Sequence, residues 1–379
     1  MRTGAKLLAG WLGLLIAIPP AFAETSSWST ETAPNIPNAK AKAPAKPKPK
    51  AQSKPMARPQ PKGPKPLQNN QAADPLSRFT PGKSESSMSR YLAPATGEDA
   101  AYIAFEQGQY LTALNLAERA ANEGDPQSHT LVGRIYAEGL GVPQDEAVAA
   151  QWYARGAELG DIESAFALGL LFAEGKGVEK DRAAAARMFE MAAAKGHPYA
   201  NYNLGILFLN GDGKPENPNR GALHIRYAAE QGVVAAQYDL AVLFQKGHGL
   251  EPDAYQAALW MKRAADQGLV EAEYDYAVML LRGFGLNADV PKAVDYLRSA
   301  AEKGFAGAQN RLANVLADDS HGPPHLVEAA KWRILARDGG LEDKKLDDLV
   351  AKLSDSDRRA AEKAAQEWRD RAAVGVLTN

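Results

Sequence analysis

Gly124, Gly160, Gly196, Gly232, Gly268, Gly304 and Gly340 stand 36 residues apart, without one insertion. A second series keeps the period at Gly139, Gly175, Gly211, Gly247 and Gly283, and a third lies two residues on at Gly141, Gly177, Gly213, Gly249 and Gly285. Small residues recur at Gly133, Gly169, Gly205, Ala241, Ala277 and Ala313, and large apolar ones at Ile135, Leu171, Leu207, Leu243, Met279 and Val315. A strict period of this length marks a repeat array. One unit cannot bury its own apolar face, so neighbours must stack, and each unit touches mainly those beside it.

Each unit reads as two helices. In the fourth, Leu240, Leu243 and Phe244 fall at helical spacing, and Gly247 to Pro252 break the helix. A second apolar stripe of Ala257, Ala258, Trp260, Met261, Ala264 and Ala265 then runs to Gly268. Asp145, Asp181, Asn217, Asp253 and Asp289 open the second helices; a short side-chain oxygen there accepts a free first-turn N–H. Gly268 and its equivalents suit the left-handed position that follows a helix. The expected fold is all-α: a right-handed α-solenoid with a concave inner face, of about six 36-residue hairpins over 125–340. A shorter hairpin at 98–124 precedes it, and capping helices over 341–379 close it. In the last helix Ala360, Ala364, Ala365 and Trp368 are expected to point inward, and Arg358, Lys363, Arg369 and Asp370 toward water. Polar ends of this kind keep an array monomeric.

The run from Ala235 to Phe244, then Gly-x-Gly-Leu, Ala257-Ala258-Leu259-Trp260 and Ala264 to Gly268, resembles a Sel1-like repeat, a relative of the tetratricopeptide repeat. The likeness covers about 125–340, and the hairpin at 98–124 is closer to a tetratricopeptide unit. The resemblance implies scaffolding and adaptor work, often at membranes and in bacterial envelopes, where some members restrain sensor kinases that control polysaccharide production. A secreted subfamily with a disulfide in every repeat is linked to penicillin binding and β-lactam hydrolysis. This chain has no cysteine, so it lacks that subfamily's defining feature. The sixth unit also departs from the pattern, with Asp319 and His321 in place of the loop glycines.

Ahead of the array lie two segments of different character. Residues 1–23 combine Arg2 and Lys6, an apolar run from Leu7 to Ile18 and small residues at Ala21 and Ala23, the layout of a signal peptide cut after Ala23. Residues 24–97 hold 13 of the 24 prolines, and 12 Lys/Arg against 4 Asp/Glu. Such a segment cannot bury enough apolar area to offset chain entropy, so a disordered basic linker is expected. It is expected to give reach, with no more than weak contact with anionic envelope polymers. Residues 98–379 carry a net charge of −12, unsuited to nonspecific nucleic-acid binding. The expected protein is periplasmic and monomeric, with no membrane span once the signal is removed.

No catalytic constellation emerges. The Gly-x-Gly loops follow helices rather than strands and lack a third glycine, so they are structural. The histidines, among them His321 and His325, lack metal-ligand spacing, and Glu271, Glu273 and Asp275 read as a solvated strip. No enzyme activity, cofactor or metal is expected. In tetratricopeptide-like stacks the first helix of each pair lines the inner groove. That places Phe166, Tyr202, Tyr238 and Tyr274 in one column, with Asn203, Asp239 and Asp275 beside it and Asn210, Gln245, Lys246 and Arg282 further along. These residues, Phe166 apart, are the candidate protein-binding set, the polar ones favoured because packing does not require them. The expected function is a non-enzymatic scaffold or regulator in the cell envelope. The alternative is a peptidoglycan- or polysaccharide-binding protein, or a β-lactam-hydrolysing relative.

Overall fold

The computed structural model describes residues 97–377. The expected signal peptide (1–23) and the basic segment up to residue 96 lie outside the described residues, as do 378–379. Among the described residues the regular structure is sixteen α-helices and one short 3-10 turn, with no strand.

α1 (Gly97–Glu106) and α2 (Tyr110–Asn122) form a hairpin joined by three residues. Six hairpins with longer loops follow: α3 (Pro126–Glu138) with α4 (Glu146–Glu158), α5 (Ile162–Glu174) with α6 (Arg182–Ala194), and α7 (Pro198–Asn210) with α8 (Pro218–Glu230). After them come α9 (Val234–Lys246) with α10 (Ala254–Asp266), α11 (Val270–Arg282) with α12 (Val290–Glu302), and α13 (Ala306–Ala317) with α14 (Leu326–Asp338). α15 (Lys344–Ala351) and α16 (Asp355–Leu377) end the described chain. From α1 to α15 each helix packs on the next, and α16 returns to pack on α14. This is a solenoid of stacked helical hairpins.

Local chemistry explains the element bounds. Asp145, Asp181, Asn217, Asp253 and Asp289 each accept a backbone N–H in the first turn of the second helix of their hairpin. The first helices end on left-handed glycines, from Gly139 to Gly283. Each loop is then closed by one backbone hydrogen bond, as from Asp253 N to Phe244 O at 3.0 Å and from Asn217 N to Phe208 O at 2.8 Å. Small residues let the hairpin arms approach: a Cβ on Gly205 would lie 2.7 Å from Ile225 Cγ1 and 3.0 Å from the Gly221 carbonyl oxygen.

Stacking is fixed by the second loop glycine. At Gly249 a Cβ would lie 2.2 Å from the Pro218 carbonyl oxygen, and at Gly285 1.9 Å from that of Ala254. Both contacted residues are the first of the preceding unit's second helix. The loop backbone of one hairpin therefore rests on the helix start of the hairpin before it.

Two ends depart from the regular unit. In the sixth hairpin Asp318 is extended, the loop continues through a 3-10 turn at Asp319–His321, and His325 opens α14 without a side-chain cap. At the C-terminus the inward residues of α16 are Ala361 and Ala365, with Ala364 and Trp368 half-buried, while Ala360 is exposed. The expectation for Ala360 is thereby corrected by one helical position. Arg369 is half-buried and donates to Asp338 at 2.6 Å, tying α16 to the end of α14. Among the described residues no helix is long and apolar enough to cross a membrane, and no cluster of His, Asp and Glu has the make-up of a metal site.

Candidate functional site

The tyrosine column and its polar neighbours form a bonded ladder between successive first helices. Tyr202 Oη on α7 donates to Asp239 Oδ2 on α9 at 3.0 Å, and Tyr238 Oη on α9 donates to Asp275 Oδ2 on α11 at 2.8 Å. All four side chains are buried. The ladder has natural ends. Phe166 has no hydroxyl and stacks on His197 at 4.4 Å. Tyr274 meets Phe305 edge-on at 5.3 Å, and the chain has Arg311 where the next acid would stand. Asn203 is buried too, its amide donating to the Tyr199 carbonyl at 2.8 Å. The premise that packing does not require Asn203, Asp239 and Asp275 is corrected: all three are buried, and the two acids bond between hairpins.

Glu273 is likewise not part of a solvated strip. It is buried and accepts from Lys303 Nζ at 2.7 Å and Ser299 Oγ at 2.8 Å, because the end of α12 covers that side of α11.

The rest of the candidate set lies at the far end of the first helices. Asn210, Lys246 and Arg282 are the last residues of α7, α9 and α11, and all three are exposed; Gln245 is half-buried. The same register holds Glu138 at the end of α3 and Glu174 at the end of α5. One edge thus carries carboxylates on two hairpins, an amide on the next and cations on the following two. Partial desolvation by the neighbouring protein holds the Lys246 ammonium below its ordinary pKa.

The Sel1 repeat family pattern matches five consecutive segments, 126–161, 162–197, 198–233, 234–269 and 270–305. Residues 126–305 are a Sel1-repeat array. The chain is similar in structure to a protective antigen of uropathogenic Escherichia coli strains with an SLR fold, at 24% identity and a TM-score of 0.66. The aligned region covers 74% of this chain but only 64% of the antigen. It is also similar to a Sel1 repeat protein from Oxalobacter formigenes, at 25% identity and a TM-score of 0.56, over 64% of this chain and 97% of that one. No curated protein matches the chain. The sixth hairpin keeps the helical pair but falls outside the matched segments, in line with its altered loop.

Within the Sel1 array the ladder acids carry an electrostatic cost. Burial pushes the Asp239 carboxyl up to about 7, against the lowering effect of the Tyr202 hydrogen bond. It pushes Asp275 up to about 6. In each acid Oδ1 has no hydrogen-bond partner. An acid with a raised folded pKa destabilises as pH rises: the unfolded chain ionises near 4, while the folded one keeps its proton until near 7. Asp239→Asn keeps the acceptor for Tyr202 and removes the charge. It is expected to raise the melting temperature at pH 8 and to make no gain at pH 4, read by thermal unfolding at both pH values. An equal shift at both would refute this account of Asp239.

Proposed function

We propose that the chain is a non-catalytic scaffold of the bacterial cell envelope that holds a segment of a partner protein along its row of first helices. Sel1 repeats generally mediate protein–protein interaction, which gives the broad class. The observation that carries the finer reading is the edge formed by Asn210, Lys246 and Arg282, exposed in one register on three successive hairpins. Glu138 and Glu174 precede them in that register. A change of charge sign along one line gives an extended peptide or helix a direction, its acidic part over α9 and α11 and its basic part over α3 and α5. The ladder beneath makes the row stiff, which lowers the ordering cost of binding. Export rests on the sequence of residues 1–23, and cell fractionation reads it directly.

The test is crosslinking in cells with Lys246→Glu and Arg282→Glu combined. A partner captured by the unaltered chain should be lost, with the far-UV circular dichroism unchanged. Capture that survives the double charge reversal removes this edge as the docking line. Turnover of a chromogenic β-lactam, or binding to purified peptidoglycan, would favour the cell-wall alternative instead.

A further inference from the structure

The sixth hairpin leaves open a surface that the five before it cover. In those five the third-series loop glycine, from Gly141 to Gly285, lies against the first residue of the preceding second helix. An aliphatic residue follows it in four of them: Val142, Val178, Leu250 and Leu286. Each of these four is half-buried against the core. In the sixth hairpin no glycine stands at either 319 or 321, and the chain leaves α13 extended at Asp318. A cleft of about 800 Å³ remains between the first turns of α12, the end of α13 and the loop that leads to α14.

Core positions of the repeat surface in this cleft. Val315 lines it and is half-exposed, whereas its five equivalents, Ile135, Leu171, Leu207, Leu243 and Met279, are buried. Val294 also lines it half-exposed, where Ala150, Ala186, Ala222 and Ala258 are buried. The cleft is therefore a piece of uncovered repeat core, and the molecule itself shows four times a glycine and an aliphatic residue packed at such a piece. Among the described lining residues, Asp289, Asp295, Asp318 and Glu328 outnumber Arg298, which donates to Glu328 at 3.2 Å.

We propose that the cleft between the fifth and sixth hairpins is a second docking site, for a partner-protein segment carrying a glycine followed by an aliphatic residue, with a basic residue close by. The glycine takes the place of the missing loop glycine, where the backbone must pass close to Val290, the first residue of α12. The aliphatic side chain covers Val294 and Val315, and the basic group meets the carboxylates of the rim. This site is separate from the edge formed by Lys246 and Arg282 and does not depend on it.

A fluorescent octapeptide with the sequence of residues 281–288, Leu-Arg-Gly-Phe-Gly-Leu-Asn-Ala, reproduces the fifth loop and is the probe. Titrated with the full chain, it should bind saturably by fluorescence anisotropy. Asp295→Lys, at an exposed position whose change should leave the fold intact, is expected to weaken binding at least tenfold. Replacing the peptide's second glycine by valine should abolish binding, and the double variant at Lys246 and Arg282 should leave it unchanged. No binding at millimolar peptide, equal affinity for the valine peptide, or indifference to Asp295→Lys would each overturn the proposal. So would closure of the cleft by self-association, seen as a dimer in analytical ultracentrifugation that Asp295→Lys dissociates.

Discussion

Gly249→Ala is expected to lower stability by roughly 3–4 kcal/mol, far more than Gly232→Ala, at about 1–2 kcal/mol. Both glycines have left-handed backbones, with φ of +75° and +91°. Both substitutions therefore bear the strain of forcing an L-residue into that region. Only Gly249 has a second problem. Its new Cβ would lie 2.2 Å from the Pro218 carbonyl oxygen, whereas a Cβ at Gly232 meets nothing within 4 Å. Relief requires the α9–α10 hairpin to move off the start of α8, and the lost stacking is shared by both units. Urea midpoints of the two variants, followed by circular dichroism, measure the difference. Equal losses would mean that the loop glycines serve the turn alone and not the contact between hairpins.

The C-terminal end should fail next most severely. Arg333 on α14 is 2% exposed and donates to both carboxylate oxygens of Asp347 at 2.8 Å, to Asn310 Oδ1 at 3.0 Å and to the Leu341 carbonyl at 2.9 Å. One guanidinium thus ties α13, α14, the loop after it and α15 together. The same bonds hold the Asp347 carboxyl below the ordinary carboxylate range. Asp347→Ala leaves a buried cation without its counter-ion; because Asp347 itself is 37% exposed, the cost is about 2–3 kcal/mol. Arg333→Met combined with Asp347→Leu removes both charges and should cost less than about 2 kcal/mol. Hydrogen exchange read at α15 should show protection lost in the single variant and largely kept in the double one. An acid with a lowered pKa stabilises above its unfolded value and ceases to do so as pH falls through the folded one. The unaltered chain should therefore lose protection at α15 only below about pH 4. Similar behaviour of the two variants would show that apolar packing, not the ion pair, holds this end.

The hairpins were legible because their signals are local. A capping side chain such as Asp253 acts on an N–H three residues away, at Gln256. A left-handed glycine ends its own helix. Neither needs to know what lies beside it. The Tyr–Asp ladder was half legible. Its two columns are visible in the repeat, but Tyr202 bonds to a residue 37 positions on, one unit and one residue away. The available clue was pairwise: hydroxyl and acid occur together at Tyr202 with Asp239 and at Tyr238 with Asp275, and drop out together at Phe166 with Asn203. Arg333 gave no such clue, because two of its partners, Leu341 and Asp347, lie beyond the last hairpin and outside any period.

Hairpin number, length and order follow from covalent spacing, since each turn and cap is completed within a few residues of chain. Burial does not. Asp239 and Lys246 sit seven positions apart on α9, and one is buried while the other is exposed. Val315 occupies a core column yet reaches the surface because a loop without glycine at 319 and 321 fails to cover it. Those outcomes depend on where the neighbouring unit comes to rest, a distance between surfaces that no period within one unit encodes.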